Sequence, residues 1–297
     1  MQLHLLDATY ELFRSHFGRP PHADAQGRPV GATVGIVESV LSLFREDGVT
    51  HIGCATDHVV RSWRNELYAG YKTEAGMPLE LLAQFPLMEE ALGAIGCVVW
   101  PMVEFEADDA LGAAAARWAE DPSVDRIVIL SPDKDMAQCV REDGRVVTYD
   151  RRKRQFMDAD GVAAKFGVRP ASIPDFLALV GDASDGYPGL PGWGAVSTAV
   201  VLRRYPHIDE IPDAVRMWDV SVRGAAALAA SLRQHRAQAM LYRELATIRV
   251  DAPIPEVAPD ELRWRGVPRS RFEALMERLN EPRLHVRVPH WRDDDSG

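Results

Sequence analysis

The sequence predicts an α/β fold, with a parallel-rich sheet flanked by helices over about residues 1–155 and a helical region over about 156–297. Three observations carry this. Short apolar runs of β type recur at Leu3–Leu6, His51–Ala55, Cys97–Trp100, Arg126–Leu130 and Val146–Tyr149. Amphipathic stretches of helical length alternate with them, the pattern of βαβ units. From Asp158 onward strand signals fade and helical patterns take over.

Taken in order, Leu3–Leu6 is a strand closed by Asp7, and Tyr10, Arg14 and Phe17 then fall on one helical face, with Tyr10 and Phe17 read as core. Helices follow at Ala32–Arg45, Leu79–Ile95 and Ala107–Ala119, and Asp133–Val140 reads as a short one. Arg151–Arg154 is a basic run suited to a solvated hairpin or loop. Further helices are expected at Asp158–Phe166, Ile173–Val180, Ala195–Arg204, Gly224–Leu232, Arg236–Ile248 and near Arg269–Leu279. The acidic tail, 293–297, is expected to be disordered.

Composition narrows the class. Apolar residues make up 46% and charged residues 26%, ordinary for a soluble globular protein. No apolar stretch approaches the roughly 20 residues of a membrane helix, and Met1–Leu6 has no signal-peptide character. Cys54, Cys97 and Cys139 are scattered, which fits reduced thiols in a cytoplasm. The nine histidines show no zinc spacing. The net charge of −10 argues against a nucleic-acid partner, but its distribution does not. Val200–Arg292 holds 16 arginines against 12 acids. The acidic excess therefore lies in the first two thirds and in the tail.

That excess is placed where chemistry needs it. Asp7 follows the first apolar run and Asp57 the second. Glu106, Asp108 and Asp109 follow the third, and Asp133 and Asp135 the fourth. In a parallel sheet all these ends share one rim, where ligands bind. Asp182 and Asp185 come later, in Gly-Asp-Ala-Ser-Asp-Gly. So many carboxylates repel one another unless cations offset them. Hard divalent ions take oxygen ligands, and two of them roughly 3.5–4 Å apart can drive an in-line displacement at phosphorus. Singly, each acid has a plainer reading. Asp108, Asp133 and Asp135 suit helix caps, and Asp182 and Asp185 suit turns. Acids at four successive strand ends favour the joint site.

Gly189, Gly192 and Gly194 form a glycine turn between two helical patterns. Either its backbone N–H groups grip a phosphate, or it is an ordinary helix–turn–helix bend. Arg61, Trp63, Arg64, Tyr71 and Lys72 mix cations with aromatics. Such a segment contacts phosphates and stacks on unpaired bases, or it is an amphipathic helix with a solvated face. Arg14 is a further phosphate candidate.

Leu-Leu-Asp7, Thr-Asp57, Phe-Glu106-Ala-Asp108-Asp109, Pro-Asp133-Lys-Asp135 and Gly-Asp182-Ala-Ser-Asp185-Gly-Tyr-Pro-Gly189 resemble the 5′ nuclease family. That family includes flap endonucleases, phage 5′ exonucleases and the nuclease domain of bacterial DNA polymerase I. The blocks run in family order from residue 3 to about 285, and the resemblance suggests the free-standing bacterial form. It implies a PIN-like core, an arch over about 61–90 and a helix–three-turn–helix module over about 172–206. It implies a first Mg²⁺ on Asp7, Asp57, Glu106 and Asp108, and a second on Asp133, Asp135 and Asp185. Asp109 and Asp182 would stand alongside, with Mn²⁺ as a substitute metal. Lys72 would contact the scissile phosphate, and the Gly189–Gly194 hairpin would hold K⁺ and the duplex backbone. The implied activity is a structure-specific 5′-3′ exonuclease or flap endonuclease of DNA replication and repair, acting on a 5′ flap, nick or free 5′ end, or on an RNA–DNA hybrid. The implied state is a monomer in the cytoplasm, at the nucleoid. One departure stands out: Val196 occupies the place where family patterns carry a lysine. A non-catalytic junction-binding protein and a PIN-type RNase are the competing readings.

Overall fold

The computed structural model describes residues 1–293. In chain order the elements are β1 (Gln2–Asp7), α1 (Ala8–Gly18), α2 (Gly31–Glu46), β2 (Ile52–Asp57), α3 (Trp63–Leu67), α4 (Leu79–Leu82), α5 (Phe85–Ala94), β3 (Val98–Met102), α6 (Ala107–Trp118) and β4 (Arg126–Leu130). Then come β5 (Val146–Asp150), β6 (Gln155–Met157), α7 (Ala159–Phe166), α8 (Ile173–Val180), α9 (Ala195–Arg204), α10 (Ala225–Ala246), β7 (Val267–Pro268), α11 (Arg269–Arg278) and β8 (Trp291–Arg292). They divide into two compact units. The first comprises residues 1–60, 74–131 and those from 250 on; the second comprises 61–73 and 132–249. The tail expected to be disordered lies, apart from Asp293, outside the described residues.

In the first unit four parallel strands run in the order β3-β2-β1-β4. Leu5 faces Gly53 on one side and Ile129 on the other. Leu3, Leu5, Leu6, Ile52, Cys54, Ile127 and Ile129 are buried, as expected of parallel strands covered on both faces. Alanines crowd one face of α6, where Ala110, Ala113 and Ala114 let the helix lie close to the strands. Because the strands are parallel, β1, β2 and β3 deliver their carboxyl ends to one edge. Trp264, from the chain's last stretch, stacks on Phe44 of α2 at 3.8 Å.

The second unit buries Ile173, Phe176, Leu177 and Leu179 of α8 against Leu202 of α9 and Leu232 and Tyr242 of α10. Asp158 caps α7 by accepting from the Gly161 N–H at 2.8 Å, and Gly167 closes the helix at φ 76°. β5 and β6 pair antiparallel around a turn at 151–154, so the basic run is a hairpin tip. β6 was not expected as a strand; three residues are too short to show a period.

Three expected helices differ. Leu79–Ile95 is two pieces, because Pro86 in the first turn of α5 has no N–H to continue a helix from α4. Asp133–Val140 forms only a 3₁₀ turn, Asp135–Cys139. The two helices expected on either side of residues 233–235 are one, α10, bent at His235 (φ −116°, ψ 20°). Phe17 is not core but 70% exposed. The buried stripe of α1 is Ala8, Glu11, Leu12 and Ser15, and Phe17 sits roughly 140° around the helix from Leu12. Of the three cysteines, Cys54 is buried and Cys97 and Cys139 are half-buried. No helix among the described residues is long and apolar enough to cross a membrane.

Candidate active site

In the first unit the acids also hold the rim together. Asp7 ends β1 and caps α1: its Oδ1 accepts from the Tyr10 N–H at 2.8 Å, and its Oδ2 from the Ser131 hydroxyl at 2.9 Å. Asp57 ends β2. Its N–H donates to Thr9 Oγ1 at 2.8 Å, and its Oδ1 accepts from the N–H of Ala107, the first residue of α6, at 2.8 Å. Glu106 is the buried N-cap of that helix. Asp109, fully buried, turns back to accept from the Glu106 N–H at 3.1 Å. Asp108 is half-buried in the first turn. Of the acids expected as caps, Asp108 lies inside the first turn of α6 and is not its cap, Asp135 lies inside its 3₁₀ turn, and Asp133 accepts from the Asp135 N–H; Asp7 and Asp109 carry the capping contacts of α1 and α6 instead. Capping does not exhaust Asp7, Asp57 or Glu106, which stand on adjacent parallel strands or the turn after them, tied through α1 and α6.

In the second unit the sequence blocks converge more tightly. Asp135, Asp182 and Asp185 are all buried, and each offers an oxygen within 4.8 Å of the others'. Asp133 is exposed beside them, its Oδ1 accepting from the Asp135 N–H at 3.1 Å. Asp182 and Asp185 sit in a tight turn. The Asp182 N–H donates to the Tyr187 carbonyl at 2.8 Å, and Asp182 Oδ1 accepts from the Ser184 N–H at 2.9 Å. Burial, and then the charges of Asp133, Asp185 and Asp182, push the Asp135 carboxyl well above the usual aspartate range. Its Oδ1 is buried without a hydrogen-bond partner among the described residues, as is the Tyr187 hydroxyl. A clustered, all-oxygen donor set with an orphaned carboxylate oxygen fits a hard divalent cation.

Two lysines face this trio. Lys72 Nζ lies 3.4 Å from Asp185 Oδ1, and the Lys72 backbone N–H donates to the Asp185 carbonyl at 3.0 Å. Gly186 makes that approach possible, since a Cβ there would strike the Gly70 carbonyl. Lys134 Nζ lies 2.6 Å from Asp182 Oδ2. Burial works against the Lys134 ammonium, but Asp182, helped by Asp135 and Asp133, outweighs it and holds the pKa above the ordinary lysine value. Lys134 was missed from sequence. Its place between two candidate ligands was the available signal.

Other expected contacts need correction. Arg64 is buried; its Nε donates to the Leu245 carbonyl at 2.8 Å and its Nη2 to that of Thr247 at 3.1 Å. It ties α3 to the end of α10 and is not displayed for DNA. Tyr71 is buried in the second unit's core, so it has no face for a base. Arg14 pairs with the buried Glu11 and donates to Ser39 Oγ at 3.0 Å, while its side chain stays 38% exposed. In the glycine hairpin, Gly189 is buried while Gly192 and Gly194 are exposed, and nothing lies within 4 Å of a Cβ built on either of the exposed pair. Trp193 anchors the hairpin through Nε1 to the Leu228 carbonyl at 3.3 Å. Val196 stands 81% exposed in the first turn of α9.

Comparison with known proteins agrees with this layout. The family model described as "5′-3′ exonuclease, N-terminal resolvase-like domain" matches residues 2–167, and "5′-3′ exonuclease, C-terminal SAM fold" matches 168–270. DNA polymerase I of Pseudomonas aeruginosa is 34% identical over 300 residues, covering 98% of this chain and 31% of that protein. The chain thus spans about a third of the length of such polymerase relatives. A 5′-3′ exonuclease of Aquifex aeolicus is 31% identical over 70% of this chain and 71% of its own length. Among solved structures, T5 5′-exonuclease with bound zinc ions superposes with a TM-score of 0.66 at 18% identity, covering 94% of this chain and 100% of that one. The catalytic core of Rad2 in complex with DNA substrate gives 0.57 at 16% identity, covering 95% and 88%. The PIN-like α/β core and the helical region are therefore a fold this chain shares with known nucleases. The chain belongs to the 5′-3′ exonuclease family.

Proposed function

We propose that this protein is a structure-specific 5′-3′ exonuclease and flap endonuclease that hydrolyses DNA phosphodiester bonds at 5′ ends or junctions. The observation that carries this is the buried Asp135–Asp182–Asp185 trio with its orphaned Asp135 oxygen. Such a cluster is costly to a fold and is retained where it holds a cation. In this reading residues 1–155 are the metal-binding core, and 156–293, with the hairpin module, grip DNA.

Two Mg²⁺ ions are proposed, with Mn²⁺ as a substitute. Asp7, Asp57, Glu106 and Asp108 hold the first. Asp135, Asp182 and Asp185 hold the second; the buried Asp182 takes the place that the family resemblance gives to Asp133, which is exposed and stands at the edge. Bound there, divalent cations polarise the phosphodiester and lower the pKa of an attacking water. Lys72, held by its backbone to Asp185, places an ammonium where charge develops on the scissile phosphate. Asp57 and Asp109 fix the first turn of α6, keeping Glu106 and Asp108 oriented. The exposed backbone of Gly192 and Gly194 meets duplex phosphates with K⁺ in the hairpin, independently of sequence. The proposed substrates are a 5′ flap, a nick, a free 5′ end and an RNA–DNA hybrid. The enzyme works as a cytoplasmic, nucleoid-associated monomer.

The test is cleavage of matched 5′-flap DNA, nicked duplex, RNA–DNA hybrid and single-stranded RNA by pure protein in Mg²⁺, beside Asp185→Ala. Flap cleavage that Asp185→Ala abolishes while DNA binding persists is the expected result. Preference for single-stranded RNA would make it an RNase, and binding without cleavage a junction-binding protein.

A further inference from the structure

Lys134 occupies an unusual position. It stands between Asp133 and Asp135 in sequence, yet its ammonium reaches across to Asp182 Oδ2 at 2.6 Å. It therefore takes up a lone pair of one of the three carboxylates gathered within 4.8 Å of one another. The side chain of Asp182 is 2% exposed, whereas that of Lys134 is 34% exposed. The Asp182 carboxylate accepts from the Ser184 N–H, and the residue's backbone N–H is anchored on the Tyr187 carbonyl. The lysine sits on a flexible stem with an open way to solvent.

We propose that Lys134 is the resident counter-ion of this carboxylate trio: it holds the metal-free cluster together and gives up Asp182 when a divalent cation enters. This rests on reading the trio as a metal site. Three carboxylates this close repel strongly in a buried setting, and an ammonium at hydrogen-bond distance relieves that repulsion. The same ammonium then opposes a second cation, because both cannot share Asp182 at close range without mutual repulsion. The fixed partner stays and the mobile one leaves. Lys72 does not duplicate the role: its contact is looser, 3.4 Å, and made to Asp185. Lys134 thereby sets how weakly the second site holds metal.

The test uses Mg²⁺ or Mn²⁺ alone, without DNA. Isothermal titration compares the full-length wild type, Lys134→Met and Lys134→Gln. The expected result is divalent binding tightened roughly tenfold or more in both variants, the scale of a lost charge-assisted hydrogen bond. The melting temperature of the metal-free variants falls, and saturating metal restores most of it. Unchanged or weaker binding in the variants overturns the proposal. Amine-reactive labelling of Lys134 in the wild type, read by mass spectrometry, needs no variant. Labelling must rise as metal is added; a constant or falling yield overturns the proposal. A wild type and variants that all bind no divalent cation would overturn the metal reading itself, which is a different outcome.

Discussion

Lys72 is fastened to Asp185 twice, by its backbone N–H to the Asp185 carbonyl at 3.0 Å and by its ammonium 3.4 Å from Asp185 Oδ1. The first link needs no side chain, so a substitution at Lys72 removes the cation and leaves the backbone in place. Lys72→Met is expected to slow single-turnover cleavage of a 5′-flap duplex by roughly 10²–10³-fold, the scale for losing one preorganised charge stabiliser. Its Kd for the same duplex should change little. A wild-type single-turnover rate would remove Lys72 from the chemistry.

The glycine hairpin yields a contrast between two neighbours. Gly189 has φ 72°, and a Cβ there would lie 2.5 Å from the Gly181 backbone N. Gly192 has φ 85°, with nothing within 4 Å of its Cβ. Gly192→Ala carries only the left-handed backbone cost, about 1–2 kcal/mol. Gly189→Ala adds a backbone clash that no rotamer relieves, so about 3 kcal/mol or more is expected. Urea unfolding of both variants measures this; equal losses would show that the Gly181–Gly189 approach is not a constraint.

How much of this was legible beforehand depended on how local the signal was. The strand runs and the acid after each were readable because parallel strands buried on both faces leave continuous apolar runs. The trio was only half legible. Gly-Asp182-Ala-Ser-Asp185 announces a turn, but its convergence with Asp135 depends on how α8 packs, which no local pattern encodes. Arg64 and Tyr71 were misread for the same reason. An arginine beside a tryptophan reads as a phosphate contact, until the end of α10 supplies two carbonyls for its guanidinium. Lys134 was overlooked because its partner, Asp182, lies 48 residues away in the chain.

Arg64 gives a prediction about stability rather than binding. Its removal leaves the Leu245 and Thr247 carbonyls short of donors. Arg64→Ala should cost about 2–4 kcal/mol, from lost hydrogen bonds to a charged group plus lost packing of the stem. Arg64→Lys should recover little, since one ammonium does not reproduce the guanidinium fork. The salt dependence of DNA binding should keep its slope, because a buried guanidinium releases no counter-ions. A shallower slope would return Arg64 to the DNA interface.

His4, in the middle of β1, sets a pH dependence. Burial lowers its pKa from 6.5 to about 4, against a smaller opposing pull from the His51 backbone. Above pH 6.5 the ring is neutral in both folded and unfolded chains. Between 6.5 and about 4 the unfolded chain takes up a proton that the folded chain refuses. Stability from this residue is therefore complete above pH 6.5 and is lost as pH falls toward 4, by up to about 3 kcal/mol. Urea midpoints at pH 7.5 and 4.5 should show the loss, and His4→Gln should lessen it by removing the titrating ring. If His4→Gln keeps the full difference, other groups must account for the acid sensitivity of the first unit.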